Sequence, residues 1–223
     1  FSDGIALVSI FKESSHGKLF GFIDRNGQEI IPFKYDNACS FIDGFALVSL
    51  NNKWGSIDKK GNEFIPFQFD EINEFNDGLA QANLNGKWGL INIEGFEVVK
   101  CMYDKIESFN DEDLLIVFKE KKCGLVNEKG KVIVACIFDS IDLYDRDNEL
   151  LLVELNKKKG LINKKGGKII PVIYDVVFMN NIGHNCVRLN SKYGLIDNIG
   201  NIILPCKYDH IDEYHDGFAI VYL

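Results

Sequence analysis

The amino-acid sequence predicts an all-β fold: six tandem antiparallel β units of about 35 residues each plus a terminal strand, stacked as an open, curved, solenoid-like array. Three observations predict it. A glycine-centred segment recurs along the chain. A second marker, an aromatic residue followed by Asp, recurs in the same register. Between them the apolar residues alternate with polar ones, which is the pattern of a half-buried strand. No stretch sustains a helical period.

The first marker is clearest in Lys53-Trp54-Gly55-Ser56-Ile57-Asp58 and Lys87-Trp88-Gly89-Leu90-Ile91-Asn92. Weaker copies centre on Gly21, Gly124, Gly160 and Gly194. The six glycines are 34, 34, 35, 36 and 34 positions apart. The second marker is Tyr35-Asp36, Phe69-Asp70, Tyr103-Asp104, Phe138-Asp139, Tyr174-Asp175 and Tyr208-Asp209. Two independent markers in one frame define a single domain over 1–223, without a linker. Its approximate units are 1–40, 41–74, 75–108, 109–143, 144–179 and 180–213, with a terminal strand at 214–223.

Each unit opens on a strand A, as in Ala46, Val48 and Leu50 or Leu151, Val153 and Leu155. Asn51-Asn52 and Asn85-Gly86 follow it. Such pairs tolerate positive φ at both positions and suit a tight type I′ hairpin. Strand B is the Trp-Gly segment. Its apolar residues have both parities (Leu90 with Ile91, Leu161 with Ile162), so both faces make contacts. The next loops end in Gly61, Gly130 and Gly200, matching a three-residue hairpin with Gly in the left-handed position. Strand C places Ile31, Phe33 and Tyr35, and their counterparts, on one face. All four prolines, Pro32, Pro66, Pro171 and Pro205, share one position in it. Proline cannot donate to a ladder, so this position faces an edge or a bulge. The Tyr-Asp pair then begins a short fourth segment. That segment leads to an aromatic (Phe41, Phe75, Phe109, Tyr144, Tyr214) and often to Asp-Gly (Asp43-Gly44, Asp77-Gly78, Asp216-Gly217).

The Lys-Trp-Gly-x-Ile-Asp core, the glycine turn, the Ile-Pro and the Tyr-Asp resemble the WG β-repeat family of bacteria. The resemblance covers essentially the whole chain. Units four and five depart from it: Cys123 and Lys159 replace the Trp, and Ala135 stands at the proline position. In unit one, 11–19 reads as an enlarged A–B loop. The resemblance implies a non-catalytic repeat scaffold, often attached to other domains, and supplies no catalytic motif.

One unit cannot bury its own apolar faces, so units must stack. A closed six-bladed propeller is the alternative to the open array. Closure leaves one of the seven strand-A copies surplus, and propeller blades of the WD type have a longer period, about 40–45 residues. Both points favour the open array.

Composition excludes other classes. With Lys+Arg 25 against Asp+Glu 33 the net charge is −8, which argues against nucleic acid as the main partner. No run approaches the roughly 18 apolar residues of a membrane helix. No leader is visible, which does not settle the compartment; expected free thiols are compatible with a reducing one, so the cytoplasm is slightly favoured. A removed leader leaves a secreted or envelope location open.

Several residues invite a chemical reading. Cys101, Cys136 and Cys206 share one frame position with Phe33, Phe67 and Val172 and read as core thiols. With Cys39, Cys123 and Cys186 they show no spacing suited to zinc, so free structural thiols are expected over disulfides or a metal. His210, Asp212, Glu213, His215 and Asp216 are all potential metal ligands, but His210 falls in a variable slot. The recurrent Asp (36, 70, 104, 139, 175, 209) reads as an Asx-type turn, since one carboxylate per unit is too few for calcium. Trp54 and Trp88 read as core before they read as a glycan platform. The lysines at 157–159, 164, 165 and 168, and the acidic runs at 111–113 and 145–147, read as solvated turn charges before a docking surface. No catalytic, cofactor-binding or metal-ligating residue is assigned, and no cofactor is implied. The reading that emerges is a non-enzymatic scaffold presenting an extended surface to a protein or a fused neighbouring domain. A glycan- or cell-envelope-binding module is the alternative.

Overall fold

The computed structural model describes residues 1–12, 17–108, 114–180, 183–212 and 220–223, and every regular element among them is a β-strand. The first sheet is β1 (Ala6–Lys12), β2 (Gly17–Ile23) and β3 (Glu29–Tyr35). The second is β4 (Asn37–Ala38), β5 (Phe45–Leu50), β6 (Lys53–Asp58) and β7 (Glu63–Phe69). The third is β8 (Glu71–Ile72), β9 (Leu79–Leu84), β10 (Lys87–Asn92) and β11 (Glu97–Tyr103). The fourth is β12 (Lys105–Ser108), β13 (Leu114–Lys119), β14 (Lys122–Asn127) and β15 (Val132–Phe138). The fifth is β16 (Ser140–Asp145), β17 (Leu150–Leu155), β18 (Lys158–Asn163) and β19 (Lys168–Tyr174). The sixth is β20 (Val176–Met179), β21 (Asn185–Leu189), β22 (Lys192–Ile196) and β23 (Ile202–Tyr208). A two-stranded remnant, β24 (His210–Ile211) with β25 (Val221–Tyr222), follows. Within each sheet the strands run in sequence order and pair antiparallel, and none of the sheets closes into a barrel. The chain divides into two compact units, Phe1–Ile106 with Glu128–Lys131 and Glu107–Asn127 with Val132–Leu223.

The short fourth segment pairs forward. β4 follows Tyr35-Asp36 but joins the edge of β5, with Asp36 N–H donating to the Ser49 carbonyl at 2.9 Å and Cys39 N–H to that of Leu47 at 2.8 Å. Each four-stranded sheet is thus a segment lent by the unit before it, followed by strands A, B and C.

The turns follow the local chemistry. At the A–B hairpin both central residues have positive φ: Asn51 54° and Asn52 60°, Asn85 54° and Gly86 76°. Glu120 (53°) and Lys121 (63°) adopt the same turn without Asn or Gly, which costs backbone strain. At the B–C hairpin Gly61 sits at φ 80°, as expected of a three-residue loop. The last residue of strand B caps this loop. Asp58 Oδ1 accepts from Lys60 N–H at 2.8 Å and Asn62 N–H at 2.9 Å, and Asp24, Asn163 and Asp197 do the same in their units.

The proline position proves to be a bulge on an outer strand. In the second sheet Trp54 pairs with Phe69 and Ser56 with Ile65, so the segment around Pro66 holds residues that strand B does not match. The bulged backbone lies directly on the glycine of strand B. A Cβ at Gly55 would collide with the Ile65 carbonyl oxygen. One at Gly21 would sit 2.8 Å from that of Ile31, and one at Gly160 2.6 Å from that of Ile170. Gly89, Gly124 and Gly194 meet the same obstacle. The recurrent glycine is therefore required by backbone crossing backbone.

The cores lie between successive sheets. In the first unit Phe22, Ile31 and Tyr35 meet Phe41, Ala46, Val48 and Ile57, and Phe41 packs edge-on against Phe22 with centroids 4.9 Å apart. Ile65, Phe69, Ile72, Ala80, Ala82 and Ile91 form the next core. In the second unit the adjacent residues Leu161 and Ile162 enter different cores, one around Tyr174 and Val187, the other around Cys123 and Leu125. Opposite parities of strand B thus serve opposite faces, as the two apolar parities predict.

Two substitutions test this account by urea unfolding. Gly55→Ala is expected to destabilise by about 3 kcal/mol, because the obstacle is backbone that cannot turn aside. Lys121→Gly is expected to stabilise by about 1 kcal/mol, by removing a left-handed side-chain-bearing residue.

Candidate functional site

The Asp of the Tyr-Asp marker leaves strand C exposed and is held from two sides. Lys53 Nζ lies 2.5 Å from Asp70 Oδ1, and Gly86 N–H donates to Asp70 Oδ2 at 3.3 Å. The lysine opens strand B of the Asp's own sheet, and the amide belongs to the A–B hairpin of the next. Lys122–Asp139 and Lys158–Asp175 repeat the 2.5 Å pairing, with Asn156 N–H at 2.6 Å and Asn190 N–H at 3.1 Å on the second oxygens. Lys87–Asp104 and Lys192–Asp209 supply the same ion pair. The residue is thus a staple between consecutive sheets, where an Asx turn was expected. The Asx role falls to the residue that ends strand B. The ammonium hydrogen bond, first among the causes, holds Asp70, Asp139 and Asp175 below the ordinary carboxylate value. A constant separation of 17 residues links each of these lysines to its aspartate, a spacing in the sequence that could have found the pair but that the reading of the Asp as a turn residue passed over.

The cysteines are free thiols spread over the frame. Cys101 and Cys136 sit half-buried on the bulge, with Sγ 3.5 Å from the carbonyls of Ala82 and Val117. Cys206 occupies the same place, 4.0 Å from the Val187 carbonyl. Cys101 and Cys206 pack against the hydrophobic cores, as expected of core thiols, from a half-buried seat at the bulge. Cys123 and Cys186 are buried. Burial pushes the Cys101 thiol up to about 12 and those of Cys123 and Cys186 to about 11. Neutral, desolvated thiols are poor nucleophiles.

The remaining candidates do not converge. His210 is exposed, 3.0 Å from Asp212 Oδ1, and Tyr222 donates to Asp212 Oδ2 at 3.1 Å. Glu213, His215, Asp216 and the acidic run 111–113 lie outside the described residues. Among the described residues no cluster of three or more His, Cys, Asp or Glu has the arrangement of a metal site. Trp54 is half-buried against the core of Ile65 and Phe69, so much of its ring is committed to packing. The lysine-rich hairpin borders a shallow depression of about 290 Å³, lined by Asn148, Glu149, Asn163, Lys164, Lys165 and Ile199, among others. There Lys164 faces Glu149 at 3.8 Å, Lys158 is taken by Asp175, and Lys159 lies 3.9 Å from Glu154.

What varies from unit to unit is the outward position just before the Tyr or Phe of strand C. Lys34, Gln68, Met102, Ile137, Ile173 and Lys207 occupy it, and all are exposed. In the second unit Ile137 is 51% and Ile173 46% exposed. Among the described residues no helix is long and apolar enough to cross a membrane.

A frame of antiparallel hairpins, each fixed by a glycine crossing, with staples at Asp70, Asp139 and Asp175 that tie one sheet to the next, defines a tandem β-repeat protein. The chain belongs to the family described as WG containing repeat, which matches residues 20–54, 54–88, 88–123, 124–158, 160–193 and 193–223. No curated protein matches it in sequence. Among solved structures it is similar to a eukaryotic initiation factor at 11% identity, covering 95% of this chain and 76% of that one, with a TM-score of 0.34. It is similar to the dihydro-heme d1 dehydrogenase NirN at 12% identity, covering 97% and 57%, with a TM-score of 0.34. It is similar to Kluyveromyces lactis Hsv2 at 8% identity, covering 72% and 59%, with a TM-score of 0.31. Similarities of this order bear on no function.

The staple sets an acid limit. A carboxylate whose pKa is lowered on folding stabilises the fold above its unfolded value, here 3.8, and loses that contribution as pH falls through the folded value. The thermal midpoint is therefore expected to drop as pH is taken below that value. The triple variant Lys53→Met, Lys122→Met, Lys158→Met should start lower and show a shallower drop. An unchanged pH profile in the variant would remove the lysines from the account.

Proposed function

We propose that this chain is a non-enzymatic repeat scaffold whose outer-strand positions bind another protein or a neighbouring domain. The observation that carries this reading is the division of labour in the frame. The recurrent glycine seats the bulge, the recurrent aromatic fills the core, and the recurrent Lys and Asp staple the sheets. The position that changes character from unit to unit is exposed on the outer strand: Lys34, Gln68, Met102, Ile137, Ile173 and Lys207. A constant frame with variable exposed positions is how repeat proteins build binding surfaces. In the second unit two isoleucines at this place are apolar and solvent-facing, of the kind that gains most from being covered.

The test is crosslinking to partners in the native cell with the wild type and with Ile137→Asp, Ile173→Asp. The variant is expected to keep its circular dichroism and thermal midpoint, since surface changes cost within about 0.5 kcal/mol. It is expected to lose the crosslinked partner. Retention of the same partner by the folded variant would overturn the assignment of this surface, and turnover of a substrate without any partner would overturn the scaffold reading.

A further inference from the structure

The B–C loop of the fifth sheet departs from its counterparts. In the second and sixth sheets an Asp caps the loop and an Asn side chain closes on it: Asp58 Oδ2 accepts from Asn62 Nδ2 at 2.9 Å, and Asp197 Oδ2 from Asn201 Nδ2 at 2.8 Å. In the fifth, Asn163 stands in place of the Asp and Gly167 in place of the Asn, so one carboxylate is lost and no side chain at 167 takes up the cap. A Cβ at Gly167 would sit 2.8 Å from Asn163 Nδ2. This loop borders the depression of about 290 Å³, whose other wall includes Asn198 and Ile199 of the sixth sheet. That wall is set from within. Asn185 takes the strand-A place held by Ala46, Ala80 and Leu151, opposite the Ile of strand B. It is 0% exposed and donates from Nδ2 to the Asp197 carbonyl at 3.2 Å and to Asn198 Oδ1 at 2.8 Å, while its own Oδ1 has no partner among the described residues. A polar group in an apolar core place is costly. Here it fixes the Asn198 amide, whose Oδ1 is taken and whose Nδ2 remains a donor. Glu149, also on the rim, holds a left-handed φ of 54° that residues other than Gly, Asn and Asp rarely adopt. Its Oε1 lies 3.8 Å from Lys164 Nζ, an ion pair beyond hydrogen-bond reach.

We propose that this depression binds an acidic saccharide, the ammonium groups of Lys164 and Lys165 taking its carboxylate and the side chains of Asn163, Asn198 and Glu149 its hydroxyls. Two ammonium groups against one carboxylate favour an anion, on a chain whose net charge is −8. Side-chain amides and a carboxylate suit hydroxyl groups, which both donate and accept. Ile169 and Ile199, the second 77% exposed, offer apolar surface to the C–H face of a ring. The volume lies at the lower end of small-ligand sites, about 300 Å³, and suits a single sugar residue. Phosphate fits less well, because the loop has few amides to cradle it: Lys165 and Gly167 N–H donate to Asn163 Oδ1, and Gly166 N–H to the Asn163 carbonyl.

The experiment is an NMR titration of the 223-residue chain with D-galacturonate, followed at the amide signals of Lys165, Gly167 and Ile199. Saturable shifts are expected at these signals. D-galactose, which lacks the carboxylate, is expected to bind about tenfold more weakly or worse. Lys165→Gln is expected to weaken galacturonate about tenfold. Lys60→Gln alters the equivalent Lys-Lys pair of the second sheet, where Asp58 and Asn62 close the loop, and is expected to leave binding unchanged. Both lysines are exposed, and the galactose comparison needs no variant. The proposal is overturned by the absence of saturable shifts, by galactose binding as well as galacturonate, by an equal loss in Lys60→Gln, or by inorganic phosphate or the dipeptide alanylalanine binding more tightly at the same signals. None of these readouts involves the strand-C residues of the partner surface, so the two proposals stand or fall separately.

Discussion

The structure depends on one close approach. In every unit the bulged part of strand C runs over the glycine of strand B so tightly that a methyl group has no room. A bulge bends its strand and strengthens the local twist. With the backbones in contact, the outer strand is held at a fixed height and its end is aimed away from its own sheet. The Tyr-Asp junction follows from this geometry, because the chain leaves strand C already directed toward the edge of the next strand A. Proline suits the bulge because the residue there has no ladder bond to give up.

The second recurring device is electrostatic. Each staple joins a lysine on strand B, a carboxylate at the end of strand C and an amide in the following hairpin. Individually such exposed pairs contribute little. Their value is geometric: the carboxylate has two oxygens, and using one for each sheet fixes the offset between neighbours. The apolar cores leave that offset looser, since aliphatic contacts are non-directional. Hydrophobic burial therefore supplies the energy of stacking and the staples supply its register.

Much of this was legible in the sequence. The six-fold period, the type I′ turns at Asn51-Asn52 and Asn85-Gly86, the left-handed Gly61 and the two-faced strand B all follow from local rules. So does the special status of the proline position. Less legible was which sheet the fourth segment joins, because pairing forward or backward leaves the same pattern of apolar residues. The Asp was placed in a turn for the same reason: Asx chemistry is local, and its true partners lie 16 and 17 residues away. The cysteines on the bulge keep the parity of core residues, and Cys101 and Cys206 pack against the cores as that parity predicts, though only half-buried. The outer-strand position resisted reading because a surface is recognised by its lack of pattern.

The forward loan of the fourth strand puts the repeat in the gene out of phase with the sheet in the protein. Every junction presents the same donor strand and the same acceptor edge, so a duplication or loss of one period, wherever its ends fall, restores a complete sheet at the joint. Unequal recombination can then lengthen or shorten such a chain without creating an unsatisfied core. The number of repeats becomes a quantity that selection can adjust freely, and with it the extent of exposed outer strand.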